Sequence, residues 1–337
     1  MSWQGEKGQD WKFVQIRRQP MLAVTGATGE IGSRVAARLA KLGFKQRLIV
    51  RDSERAPHLP GAEVVEVISY GDAVAMGRAL AGVETLFLVS AQDLMGVIRR
   101  SFENRVPVPS YDRVQQHVAA VAAAAAAGVQ RIVYLSFLNA ASDATFILAR
   151  DHFHTEEYIR SARVPFTFLR QSLYMDKVPL HVSIDGIIRG PAGEGRVAWV
   201  TRDDIADVVV AVLTESGHEG RTYDITGPEA LTLAETAKQL SFVTGRKISY
   251  QAQTPHEVRA LRNSSRLDEW EANRRSLTGS GITDYELEVW ISHYLQMATG
   301  EAATVSDTVP RLTGHPAQAL LDYLDKHPDS YRHLLTL

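Results

Sequence analysis

The chain has 337 residues, 45% of them hydrophobic, and a formal net charge of -2, which is enough apolar material for a sizeable core in one large or two closely packed domains. No basic block runs through it, so nothing calls for nucleic acid or an anionic membrane, and a small molecule is the default partner. The absence of cysteine excludes a disulfide framework, a thiol nucleophile and a thiolate metal site, and fits a cytoplasmic address.

The opening segment MSWQGEKGQDWKFVQIRRQP is polar and has no signal-peptide apolar region, so residues 1–20 are expected to be an N-terminal extension outside the fold. The periodic pattern begins with MLAVTGATGEIGSRVAARLAKLGF, Met21 to Phe44, which reads as an apolar strand, a glycine turn and a helix over Ile31 to Leu42. Further strands are QRLIV (Gln46 to Val50), AEVVEVI (Ala62 to Ile68), ETLFLVS (Glu84 to Ser90), QRIVYLS (Gln130 to Ser136) and PFTFLR (Pro165 to Arg170). Each lacks clean alternation, as expected for strands covered on both faces. Helices over Asp72 to Ala81, Asp112 to Ala127 and His152 to Ser161 lie between them, so the pattern predicts a doubly wound parallel α/β domain. The alanine-rich stretch Val118 to Gly128 is too short and too weakly hydrophobic to span a bilayer, and no membrane association is expected.

One connection breaks the rhythm: Ala91 to Tyr111 is long, carries two prolines and follows a strand end, which suits either a surface excursion or a lid over a ligand crevice. From Asp176 the texture changes. DGIIRGPAGEGR is turn-rich, VAWVTRDDIADVVVAVL reads as strand then helix, and LTLAETAKQLSFVTGRKISY as helix then strand. The tail from Pro255 is helical with polar breaks, with Trp270 and Trp290 as packing residues.

Gly26, Gly29 and Gly32 form G-x-x-G-x-x-G between the first strand and first helix. The first permits the tight turn, the second lets backbone approach a pyrophosphate, and the third lets helix pack on strand. The exposed amides and the positive helix end then receive phosphates, so the turn reads as a dinucleotide site. An acidic residue ending the second strand would bind ribose hydroxyls and favour NAD(H). The chain has IVRD there, and the Arg51 guanidinium suits a 2′-phosphate, so NADP(H) is favoured over NAD(H), with Asp52 still able to take the ribose role.

Other clusters read as structural. His154 is off the helix face shared by His152 and Glu156, so no metal is expected. Asp203, Asp204 and Asp207 stand at a helix start, where carboxylates cap amides. Ser136 in YLSFLN is not a nucleophile elbow, and hydrolysis is set aside.

Taken in order, TGATGEIG, VRD, YGD (Tyr70 to Asp72), LFLVS, a helix from His117 ending in AAGV, IVYLS, HFHTEEYI, FTFLRQSLYMD, DGIIRGPAGEGRVAWVTRDDIADV, TYDITGPEALTLAE and RLTGHPAQAL resemble the NmrA-like atypical short-chain dehydrogenases/reductases. Within them the resemblance is to the NADPH-dependent quinone reductase and triphenylmethane reductase branch, over about Met21 to Leu321. It implies a Rossmann-type domain over 21–175 holding NADP(H), and a smaller C-terminal α+β substrate domain, mainly 176–337, from which some segments return to the first sheet. It also implies roles for particular residues. Gly26, Thr28, Gly29, Glu30, Ile31 and Gly32 match the phosphate turn, Arg51 the 2′-phosphate arginine, and Ser90 with Ala91 the adenine and ribose path. Ser136 and Phe137 fall near the nicotinamide ribose, His152 and Glu156 in the H-x-x-T-E signature, and Gln171 and Tyr174 on the nicotinamide side. Family members commonly carry Asn where Gln171 stands.

The chain departs from ordinary short-chain dehydrogenases in one respect. Their Tyr and Lys, four residues apart, serve as proton donor and its tuner, and those positions here are Leu148 and His152. Hydride addition to a quinone or a resonance-stabilised cation gives a species stable near neutral pH, so such acceptors need positioning more than acid catalysis. The expected function is an NADPH-dependent reductase acting on a small, apolar, electron-poor acceptor such as a quinone. Tyr174 and His152 are its candidate catalytic groups, with His152 either handling a proton or a substrate oxygen, or making a structural hydrogen bond to a carbonyl. The alternative is a redox-sensing regulator that binds the dinucleotide without turnover. A homodimer is left open.

Overall fold

The computed structural model describes residues 20–90, 111–261 and 284–335. Residues 1–19 of the expected extension 1–20, residues 91–110 of the Ala91–Tyr111 connection, and Trp270 lie outside the described residues.

Six strands, β1 (Leu22–Thr25), β2 (Gln46–Val50), β3 (Ala62–Glu66), β4 (Thr85–Val89), β5 (Arg131–Phe137) and β6 (Phe166–Gln171), precede β7 (Ile187–Gly190), β8 (Arg196–Val197), β9 (Arg221–Ile225), β10 (Leu231–Thr232) and β11 (Ser249–Ala252). The first six and β9 form one sheet in the order β3-β2-β1-β4-β5-β6-β9, with every neighbouring pair parallel. The direction of winding reverses between β1 and β4, and the strand C-termini open a crevice there.

Helices α1 (Glu30–Lys41), α2 (Ala73–Leu80), α3 (Tyr111–Ala126), α4 (Ile147–Ser161) and α5 (Arg202–Thr214) cover the sheet. On one face Val35 and Leu39 of α1 meet Val208, Val209 and Val212 of α5 over Val24 and Val133. On the other, Met76, Val121, Ala124 and Ile159 from α2, α3 and α4 pack over Ala23, Ile132 and Phe168. Burial from both sides explains the unbroken apolar run of β5, in which all seven residues are buried. Strand β3 corrects that expectation. It is the sheet edge, and Glu63, Val64 and Glu66 are exposed. The two glutamates put charge on an edge that would otherwise invite another strand.

Helix α4 starts at Ile147, five residues before its predicted beginning at His152, because its anchor comes from far away in sequence. Glu301 accepts hydrogen bonds from the Thr145 backbone N–H at 3.0 Å and from Thr145 Oγ1 at 2.6 Å, just ahead of the helix. The acidic trio of α5 also differs from expectation. Thr201 is the cap, accepting from the Asp204 N–H, while Asp203 and Asp207 each take a 2.7 Å hydrogen bond from Arg38 of α1. Asp204 accepts from the Gln318 backbone N–H at 3.1 Å. These carboxylates therefore lash α5 to α1 and to the C-terminal segment.

The remaining helices are α6 (Leu233–Thr244), α7 (Pro255–Leu261), α8 (Asp284–Ala298), α9 (Thr308–Thr313), α10 (Leu320–Lys326) and α11 (Arg332–Leu335). With the two-stranded pairs β7–β11 and β8–β10, helices α6, α8, α10 and α11 build a second core around Trp199, Tyr294, Met297, Leu240 and Leu324, while Val309 of α9 joins the core of α1 and α5 and Val258 of α7 packs with Leu287 and Ile291 of α8. The predicted strand in VAWVT is only the two residues of β8 plus a bridge from Val200 to Tyr174. No described helix is long and apolar enough to cross a membrane.

Beneath the sheet's C-terminal edge Glu156 of α4 is completely buried. It accepts from Arg170 Nε at 2.9 Å and Nη2 at 2.6 Å, and from Ser136 Oγ at 2.6 Å. Removing one member of such a cluster leaves an uncompensated charge. Glu156→Ala should cost about 3 kcal/mol or more, read as a lower urea midpoint at unchanged slope; a cost under about 0.5 kcal/mol would show that the guanidinium finds other compensation.

Candidate functional site

The crevice begins at the turn after β1. Gly26 has φ +63°, a conformation that disfavours any side chain, and its carbonyl accepts from the Gly29 N–H at 2.9 Å. A Cβ on Gly32 would sit 2.3 Å from the Gly26 carbonyl oxygen, so only glycine lets the first turn of α1 close on the strand. Gly29 is the N-cap of α1 and supplies no side chain, which leaves the first helical amides without a side-chain acceptor. Thr25 fixes the two strands flanking the crevice: its Oγ1 donates to the Phe87 carbonyl at 3.1 Å and accepts from the Val89 N–H at 2.8 Å. Ile31 is buried, Thr28 half-buried, and Glu30 exposed and paired with Arg34 at 2.7 Å.

Arg51 follows β2 and is exposed. Its charge opposes the burial that raises the pKa of the Tyr70 phenol, which also hydrogen-bonds Thr25. Asp52 caps the short helical turn Ser53–Arg55, accepting from the Glu54 N–H at 3.1 Å. Its carboxylate is thus engaged locally, while the Arg51 charge is close enough to act on Tyr70. Ser90, at the end of β4, is half-buried, and Ala91 lies outside the described residues.

The ends of β5 and β6 form the other half of the crevice. Phe137 and Gln171 are partners in register. Gln171 is 6% exposed, and its Oε1 has no hydrogen-bond partner. Tyr174 stands beside Gln171, and burial raises the pKa of its phenol, with the hydrogen bond to Gln171 and the Arg202 charge acting in opposition. The Arg202 guanidinium covers the Tyr174 ring at 3.9 Å and is itself held by Asp176 at 2.8 Å. Ser136 is fully buried, and its hydroxyl is committed to Glu156.

His152 is not bonded to a carbonyl. Its Nε2 lies 2.9 Å from Arg113 Nη2 and its Nδ1 2.9 Å from the Tyr134 hydroxyl. A guanidinium only donates, so Nε2 accepts and the neutral ring donates from Nδ1 to Tyr134. Burial first, then the Arg113 charge, holds the imidazole pKa well below its ordinary value. Beyond Tyr134 the chain of contacts continues to Thr155, whose Oγ1 donates to the Asp151 carbonyl at 2.9 Å and so receives the Nδ1 proton of His117 at 2.9 Å. His117 is likewise pushed well down by burial and Arg113. Neither Arg113 nor Tyr134 was singled out by the sequence: the first lies in the first turn of α3 and the second inside the apolar run of β5.

A seven-stranded parallel sheet with a glycine turn at its winding reversal defines a Rossmann-type nucleotide-binding architecture. The profile of the NmrA-like family matches residues 18–268, and the chain belongs to that family. It is 34% identical over 315 residues to a (4-alkanoyl-5-oxo-2,5-dihydrofuran-3-yl)methyl phosphate reductase of Streptomyces griseus, spanning 92% of this chain and 99% of that one. Among solved structures, the NADPH-dependent quinone oxidoreductase of Escherichia coli complexed with NADPH superposes with a TM-score of 0.74 at 29% identity, covering 91% of this chain and 99% of the other. The triphenylmethane reductase of a Citrobacter species complexed with NADP(H) gives a TM-score of 0.73 at 30% identity, covering 93% and 100%.

The buried imidazoles set an acid limit on stability. Below about pH 6.5 the unfolded chain protonates these histidines while the folded protein keeps them neutral, so stability falls as the pH drops further. The melting temperature should therefore decline from about pH 6.5 downward, and less steeply in His152→Gln. A wild-type midpoint that does not change over that window would exclude neutral histidines in the fold.

Proposed function

We propose that the chain is an NADPH-dependent reductase that delivers hydride to a small, flat, electron-poor acceptor. The observation that carries this reading is the glycine turn, where the missing Cβ of Gly32 lets α1 close on β1 and the N-cap Gly29 leaves the first helical amides without a side-chain acceptor. The geometry fits a dinucleotide: amides of the Gly26 to Gly32 turn for the diphosphate, Arg51 for a 2′-phosphate, and Phe137, Gln171 and Tyr174 for the nicotinamide end. The unpartnered Gln171 Oε1 gives that end a free acceptor, suited to an amide N–H. When bound, NADPH supplies the hydride.

The residues at that end bind and orient. Tyr174 keeps its proton at neutral pH and offers a neutral hydroxyl. His152 has both ring nitrogens engaged, so its role in this reading is to hold Tyr134 and Arg113 in place behind Phe137. No Tyr/Lys pair is present at Leu148 and His152 to protonate an alkoxide, which turns the preference to acceptors whose reduced form is already stable. The relatives are named for a quinone, triphenylmethane dyes and a dihydrofuranone phosphate, and the shared chemistry is conjugation that spreads the added electron pair. Quinones are the acceptor class proposed here.

Arg51→Ala should weaken NADPH binding by about tenfold or more, the worth of a charge-assisted hydrogen bond, and leave NADH affinity nearly unchanged by calorimetry. Equal losses for the two nucleotides would remove Arg51 from the 2′-phosphate. NADPH oxidation against a panel of quinones and dyes should show turnover with quinones; tight NADPH binding with no turnover on any acceptor would make the protein a dinucleotide sensor.

A further inference from the structure

The C-terminal lobe meets the nicotinamide end of the sheet through a row of flat rings. Phe137, at the end of β5, packs on Phe146 with ring centroids 5.1 Å apart. Phe146 meets the edge of His293 of α8 at 5.7 Å, and His293 stacks on His181 at 5.6 Å with only 9° between the planes. His181 closes the row, its Nδ1 2.8 Å from the Tyr294 hydroxyl and its ring 6.0 Å from Trp199. Four chain segments that are distant in sequence converge here, and Phe137 ties the row to Gln171 through strand register.

Within this row one polar atom is left over. His293 Nε2 is buried and has no hydrogen-bond partner, while the residue as a whole is half-buried. Buried polar groups in folded proteins are nearly always paired, and one that is not calls for a reason. Burial lowers His293 to about 3 and His181 to about 4, so both rings are neutral at physiological pH. A neutral imidazole has one N–H donor and one bare acceptor, so the unpaired nitrogen carries a hydrogen-bonding capacity that no described residue takes up.

We propose that His293 is the hydrogen-bonding group for a carbonyl oxygen of the acceptor, so that this lobe selects flat, carbonyl-bearing acceptors such as quinones and conjugated enones over oxygen-free dyes. The proposal rests on the reductase reading and names the acceptor-selecting side chain. Phe137 and Phe146 are buried and pack behind the imidazole, holding it in place, and the imidazole provides the polar contact that fixes the acceptor's orientation. An N–H placed to bond an oxygen favours an acceptor that has one over an acceptor that does not.

The test compares a benzoquinone with a triphenylmethane dye, using the full chain with NADPH. His293→Phe keeps a ring and removes the hydrogen bond; its kcat/KM for the quinone should fall about tenfold more than that for the dye, mainly through KM, with calorimetric NADPH affinity retained. His293→Gln restores a donor and should recover part of the quinone loss, and it carries the same comparison if the phenylalanine variant does not fold. Equal losses on both acceptors, or no loss on the quinone, overturn the role of His293 and leave the reductase reading intact. A wild-type protein that reduces neither acceptor overturns both.

Discussion

The close approach of α1 to β1 is the constraint on which the crevice depends. Any side chain at residue 32 would drive a carbon to 2.3 Å from the Gly26 carbonyl oxygen, so the helix would have to back away from the strand. That displacement would pull the first amides of α1 off the sheet edge and loosen the packing of Val35 and Leu39 on Val24. The same helix is tied from its other side by Arg38 to Asp203 and Asp207 of α5. A backbone contact at the front and a charged lashing at the back thus fix where the positive end of α1 points, and Thr25 fixes β4 beside it.

Charge is distributed unevenly along the crevice. Toward β2 stands Arg51, exposed, a cation for an anionic group. Toward β5 and β6 the buried histidines and tyrosine are held neutral, His152 and His117 by burial and by Arg113, Tyr174 by burial, while the charged groups there are paired, Glu156 with Arg170 and Arg202 with Asp176. Arg113 has its own carboxylate, Asp151, at 3.6 Å, so the cation that enforces neutral histidines is compensated rather than bare. An end whose charges are paired or absent suits an uncharged flat group, and a cationic end suits phosphate. These electrostatics follow from which residues are buried, and burial is a property of the fold.

The strand and helix pattern from β1 to β6 was legible because the inner strands are covered on both faces and the helices show an apolar stripe, as Val35, Ala36 and Leu39 illustrate. What escaped was set by contacts distant in sequence. The start of α4 depends on Glu301, and the short life of the VAWVT strand depends on its having only the two residues of β10 to pair with. The glycine turn and Arg51 were legible because backbone geometry and strand ends impose local rules. Arg113, Tyr134 and the ring row from Phe137 to His181 were not, since helices and strands from separate stretches meet there and no local spacing encodes it.

The histidine at the position of the usual lysine illustrates how a motif can persist while its chemistry changes. A lysine there would bring an ammonium beside Arg113, two cations at hydrogen-bond range with one shared carboxylate. A neutral imidazole avoids that repulsion, accepts from the guanidinium and passes its own proton inward to Tyr134. With Leu148 in place of the tyrosine, the helix then presents no acid to the crevice, and its polar face serves to brace Phe137 from behind. In the proposed reading, Leu148 and a neutral His152 supply no proton and His152 backs Phe137, which fits an acceptor held by its flat face whose reduced form needs no help in carrying charge.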